Sequence, residues 1–178
     1  MPDSSIVIRT GGQTGVDRAA LLVAIELGIP YVGWCPRDGR ADDRQTPPGL
    51  LGEFPSLRPT PSTDRRQRTA WNVRDADATL ILSFYNVNAT SAGSDFTTFC
   101  AEMLYEKPVR TANAAEQRGR DDIPAWLDSI RATVGDRPLV LNVAGPREIE
   151  MPGIQAAATR YLRQLLRMPS VVGARAAL

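Results

Sequence analysis

The stretch "IVIRTGGQTGVDRAALLVA", residues 6–24, decides the fold. Ile6, Val7 and Ile8 form a short β-branched run, which suits a buried strand at Ile6–Arg9. Gly11, Gly12 and Gly15 then break the chain, with Gln13 and Thr14 between them. The alanine-rich segment after them is apolar nearly all round, as in a helix packed between a sheet and a neighbour. A helix is expected over 16–27, closed by Gly28 and Pro30. Strand, glycine turn and helix together open a parallel α/β unit.

Further strands are expected at 31–34, 78–84, 108–110 and 139–143. Ser62, Thr63 and Asp64 offer an N-cap for a polar helix reaching Asp75. Phe96, Phe99, Cys100, Met103 and Leu104 recur at helical spacing after the small-residue turn 88–95, and read as core. Ile123, Trp126, Leu127 and Ile130 mark another helix; Ile154, Ala158, Tyr161, Leu162 and Leu165 mark the last. Residues 35–61 show little periodicity and read as a long irregular connection, and 114–122 as a polar one. Alternating strands and helices predict an α/β fold, an open and mainly parallel sheet with helices on both faces. Residues 1–178 fit one ligand-binding domain.

The formal charge of +1, with 43% hydrophobic and 23% charged residues, speaks against a general nucleic-acid or membrane-surface binder. With no long apolar run and no signal-like start, a cytoplasmic protein is expected. Cys35 and Cys100 make neither a disulfide framework nor a zinc motif. Cys35 fits a small buried residue after a strand better than a thiol beside a ligand. The chain has no histidine, which excludes Ser-His-Asp and Cys-His catalysis and histidine-based metal sites.

In parallel sheets of this kind ligands lie at the carboxyl ends of the strands. Three turns are expected there, at 11–15, 92–97 and 145–147; the last reads as the start of the final helix, with Pro146 in its first turn. Gly11 and Gly12 let the backbone turn sharply near a ligand. The amides of 14–16 would point outward from a helix N-terminus, where an anion is favoured. Gln13 and Thr14 add donors, and Asp17 is placed to cap the helix or to bond a ligand hydroxyl or amine. The plainer reading is a tight connection that needs glycine for packing. Gly93, Ser94 and Thr97 repeat the arrangement at a second turn, expected next in line along the sheet; simple N-capping by Ser94 is the alternative. Arg37, Arg40, Arg44, Arg65, Arg66, Arg68 and Arg74 supply planar forks suited to phosphate or molybdate. Arg68 and Arg74 are the chosen pair, since six residues apart they leave the helix on different sides.

Four segments, "GGQTGVDRAAL" (11–21), "GIPYVGWCPRDGRADD" (28–43), "RTAWNVRDADATLIL" (68–82) and "LNVAGPRE" (141–148), resemble the molybdenum carrier family, including the molybdenum-cofactor carrier proteins of algae and bacteria. The resemblance implies a Rossmann-like sheet, a homo-oligomer (dimer or tetramer) and molybdenum cofactor as the carried ligand, a pterin with a terminal phosphate and an oxygen-rich metal centre. Carried over, the binding positions are Gly11, Gly12, Thr14, Gly15 and Asp17, then Gly93, Ser94 and Thr97. Ala92 and Ser94 depart from the glycine and threonine that relatives carry. The chain is also similar to the cytokinin-activating phosphoribohydrolases, with Arg68 upstream of Ala76-Asp77-Ala78. Those enzymes use a glutamate where Thr97 stands, and a threonine cannot be a carboxylate base. The expected function is therefore a carrier for molybdenum cofactor or a related phosphorylated anion, with no catalytic residue assigned and no metal ligand. Molybdate or a nucleotide could fill the same cradle. The alternatives are a nucleotide phosphoribohydrolase using Arg68 with Asp17, Asp95 or Glu102, and a nucleotide-sensing module.

Overall fold

The computed structural model describes residues 5–84, 91–116 and 122–173. Its six strands are β1 (Ile6–Arg9), β2 (Tyr31–Cys35), β3 (Leu57–Pro59), β4 (Ala78–Ser83), β5 (Val109–Asn113) and β6 (Leu139–Ala144). The helices are α1 (Val16–Glu26), α2 (Leu50–Glu53), α3 (Arg65–Arg74), α4 (Ala92–Phe99), α5 (Ile123–Val134), α6 (Ile154–Leu165) and α7 (Pro169–Val172). A π-helical turn, Cys100–Leu104, prolongs α4. All strand pairs are parallel, in the order β3-β2-β1-β6-β4-β5, so the fold is the expected Rossmann-like α/β sheet. Among the described residues no helix is long and apolar enough to cross a membrane.

Strand alternation divides the core. Ile6, Ile8, Leu80, Leu82, Leu139, Leu141 and Val143 pack in one cluster with buried residues of α1, α5, α6 and α7. The other sheet face is more polar. It carries Arg9, Thr79 and Asn142, with Asn142 Nδ2 donating to Thr79 Oγ1 over 3.3 Å. A smaller cluster joins Val73 of α3 to Cys100 and Ala101.

The structure corrects four expectations. Residues 35–61 are not irregular throughout. Leu50, Phe54 and Leu57 bury with Leu21 and Cys35, forming α2 and the edge strand β3. The segment is pinned by Arg18, a buried side chain that grips Asp43 with two hydrogen bonds (2.8 and 3.0 Å) and lies 5.5 Å over the Phe54 ring. Phe99, Met103 and Leu104 are not core: they are 47%, 68% and 51% exposed. The buried face of that helix is Ser94, Thr97, Cys100 and Ala101, small residues of which Cys100 and Ala101 pack against Val73 of α3. The final helix starts at Ile154, not at Pro146, and its first amides are held by Glu148, which accepts from Gly153 (2.6 Å) and Gln155 (2.9 Å). Finally, the first and second turns are not neighbours, because β6 lies between β1 and β4. The 88–90 part of the second turn and residues 117–121 of the polar connection lie outside the described residues.

Candidate anion-binding cleft

A cleft of about 490 Å³ opens over the carboxyl ends of β1 and β6, between α3 and the start of α4. Gly11 and Asp17 line it from the first turn, Arg65, Arg66, Arg68, Thr69 and Asn72 from α3, and Ser91, Gly93, Phe96 and Thr97 from the start of α4. Asn142, Gly145, Arg147 and Glu150 complete it from the β6 side.

The first turn does not present its amides to this space, contrary to expectation. Thr14 N–H donates to Gln13 Oε1 (2.8 Å), Gly15 N–H to Gln155 Oε1 (3.0 Å) and Val16 N–H to the Pro146 carbonyl (3.3 Å). The amides of Gly11 and Gln13 serve the Asp17 carboxylate. The turn thus already holds an anion, and it is a side chain of its own helix. Burial pushes the Asp17 carboxyl above its ordinary range, against the pull of Arg68 and the two amides. Arg68 Nη1 donates to Asp17 Oδ2 at 2.7 Å; both side chains are largely buried. A Cβ on Gly11 would stand inside the Arg68 guanidinium and 2.9 Å from Asp17 Oδ2, so glycine is what admits the arginine.

Asp42, from the segment after β2, ties the cleft's rim together. Its carboxylate accepts from Arg147 Nη1 (3.1 and 3.2 Å), Arg65 Nη2 (3.3 Å) and Gln13 Nε2 (3.4 Å). Glu150 accepts from Arg147 Nη2 (3.1 Å) and from the Arg147 amide (2.9 Å). Burial pushes the Glu150 carboxyl up, but the Arg147 hydrogen bonds outweigh it and hold it below the usual range. At α4, Ser91 is the N-cap, accepting from Ser94 N–H at 3.2 Å, so Ser94 is capped and not the cap. Among the described residues no hydrogen bond engages the amides of Ala92 and Gly93.

Of the residues singled out in the sequence, Gly11, Asp17, Arg65, Arg66, Arg68, Gly93, Thr97, Gly145 and Arg147 meet in the cleft. Gly12, Gln13, Thr14, Gly15 and Ser94 stand behind it and hold its walls. Arg74 leaves α3 on the far side, where it pairs with Asp75 and stacks 4.6 Å over Trp71. Arg40 and Arg44 pair with local carboxylates, and neither they nor Arg37 line the cleft. Asp95 and Glu102 do not line it either. Sequence reasoning passed over Glu150 and Asn142. Asn142 carried a signal, a lone amide inside the apolar run 139–144. Among the described residues no group of three His, Cys, Asp or Glu side chains could hold a metal ion.

The last strand in the chain sits in the middle of the sheet. If β6 came first, the strands would wind outward in sequence to one edge and then to the other, which is the relation a circular permutation leaves. The description of the "Circularly permutated YpsA SLOG family" matches residues 8–166. The chain belongs to this family. A crystal structure from Syntrophus aciditrophicus SB, named "Putative molybdenum carrier protein", is 38% identical, with a TM-score of 0.69, covering 89% of this chain and 94% of that one. Among curated proteins none matches the chain. The likeness to the Syntrophus structure bears out the Rossmann-like sheet, and the SLOG family match agrees with the family resemblance read from the four sequence segments.

Proposed function

We propose that the protein binds and carries a phosphorylated, anionic small molecule, molybdenum cofactor or a close relative, in this cleft. The observation that supports it most is Arg68. Asp17 seats its Nη1, while Nε and Nη2 make no further hydrogen bond among the described residues and are left for a ligand. Arg65, Arg66 and Arg147 add cationic forks around a space of the size small ligands use. Phe96 offers a planar ring a face to pack on. Gly11, Asp17, Arg68, Gly93 and Thr97 touch the ligand in this reading, and Gly12, Gln13, Thr14, Gly15 and Ser94 hold the walls. The name of the Syntrophus relative favours a molybdenum-bearing cargo over a nucleotide.

The test is the composition of the protein as purified: mass spectrometry for pterin and nucleotide, with elemental analysis for molybdenum. Pterin with molybdenum near one per chain is expected. A stoichiometric nucleotide without metal would replace the carrier reading by the sensing one. Glu150 favours a second reading, nucleotide phosphoribohydrolase, because it places a low-pKa carboxylate in the same cleft as Arg68. Release of ribose phosphate from nucleoside monophosphates would establish it.

The protein acts in this reading as a cytoplasmic, one-domain homo-oligomer, independent of nucleic acid and membrane. Phe99, Met103 and Leu104 form the apolar face suited to contact between copies. Met103→Glu is expected to shift the species seen by light scattering from dimer or tetramer to monomer. An unchanged mass would move the interface elsewhere.

A further inference from the structure

A second cavity, of about 480 Å³, lies against the C-terminal end of α3, away from the cleft residues of that helix's N-terminal half. Arg9 of β1, Trp34 of β2, Arg58 of β3 and Asp75 line it. Arg9 is incompletely paired. Its side chain is 14% exposed, its Nη1 stands 3.8 Å from Asp75 Oδ2, and its Nε is buried with no hydrogen-bond partner. Asp75 is engaged elsewhere, accepting from Trp34 Nε1 (2.7 Å) and from Arg74 Nε (2.7 Å) and Nη2 (3.1 Å). Arg58 is exposed and makes no side-chain ion pair among the described residues.

A buried guanidinium with an orphaned nitrogen is costly unless a further acceptor completes it. Among the described residues no acceptor is hydrogen-bonded to the Arg9 Nε. Burial lowers the Arg9 pKa, Asp75 offsets part of this, and Arg74 and Arg58 lower it again. Arg9 and Arg74 thus share one aspartate, and Arg58 adds a further positive charge beside Arg9. Arg9 lies on a central strand and Arg58 is paired in register with Trp34, so two cationic forks project from a rigid sheet beside an indole wall.

We propose that this cavity is a second ligand site, taking a small phosphate-bearing oxyanion between Arg9 and Arg58. It is independent of whatever the cleft carries. Trp34 lies in its wall and reports occupancy by fluorescence. Titration with inorganic phosphate is expected to give a saturable change in the wild-type protein and in Arg68→Gln, whose lesion lies in the other cleft. Arg58→Gln and Arg9→Gln should each weaken it by about tenfold or more. Arg58 is exposed, so its variant keeps the test open if the buried Arg9→Gln fails to fold. A wild-type protein with no saturable response overturns the proposal. So does a response lost in Arg68→Gln, or one unaffected by Arg58→Gln.

Discussion

Gly15→Ala is expected to lower the unfolding free energy by about 3 to 5 kcal/mol, from backbone strain and overpacking together. Gly15 has φ 84° and ψ −133°, a region that side-chain-bearing residues avoid. An added Cβ would also run into the Pro146 carbonyl oxygen and stand 2.8 Å from Glu148 N, both backbone atoms with no easy retreat. The Gly15 amide is tied at the same time to Gln155, so the β1–α1 loop and the start of α6 cannot part without losing a half-buried hydrogen bond. Set against a usual stability of roughly 5–15 kcal/mol, the loss is large. In thermal unfolding it should appear as a fall of roughly 10 °C. Gly28→Ala is the control. Its φ is also positive, at 65°, but nothing lies within 4 Å of the added Cβ. It should cost about 1 kcal/mol. If the two variants melt together, the close approach of the two loops is not what demands glycine at position 15.

This junction marks the limit of what the sequence discloses. The strand–turn–helix unit at 6–26 was legible because its parts are local: a β-branched run, glycines, then alanines. Arg68 was half legible: its spacing from Arg74 put the two on different sides of α3, but nothing local said which side faces the cleft. The occupant of the first turn was not legible. A glycine turn satisfied by a bound anion and one satisfied by Asp17 have the same local sequence, since the carboxylate that fills the turn is itself two residues beyond Gly15. The Leu50, Phe54 and Leu57 stripe was present but broken by prolines. What organises it, Arg18 on Asp43 and Asp42 on Arg147, acts across 25 and 105 residues. The Phe99, Met103 and Leu104 stripe was read correctly as apolar and wrongly as covered, because spacing shows a face and not what lies against it. Sheet order escaped for a related reason. Nothing local tells β6 to enter between β1 and β4.

Arg68→Gln is expected to weaken binding of the cleft's anion by about thirtyfold or more, the scale for removing one partner of a hydrogen-bonded, desolvated charge pair. It should also destabilise the fold, and the two effects separate the roles of Arg68 and Asp17. Without the guanidinium, Asp17 keeps only the Gly11 and Gln13 amides in a buried setting, at a cost of about 3 kcal/mol near neutral pH. The sign with pH follows from the raised folded-state pKa. Folded Asp17 holds its proton more tightly than the unfolded chain does, so its contribution to stability falls as pH rises from the ordinary carboxylate range through the raised value. Loss of Arg68 removes a pull that lowers that value, so the fall should steepen and extend to higher pH in Arg68→Gln. Asp17→Asn removes the titrating group. The double variant Asp17→Asn/Arg68→Gln should therefore regain most of the lost stability and lose the Asp17 part of the pH dependence, while binding stays as weak as in Arg68→Gln. Urea unfolding across pH, with anion titration on the same four proteins, gives the cycle. Strict additivity of the stability losses would mean that Asp17 does not seat Arg68. Recovered stability without recovered binding would leave the arginine as the group that meets the ligand, and the first glycine turn as the device that holds it there.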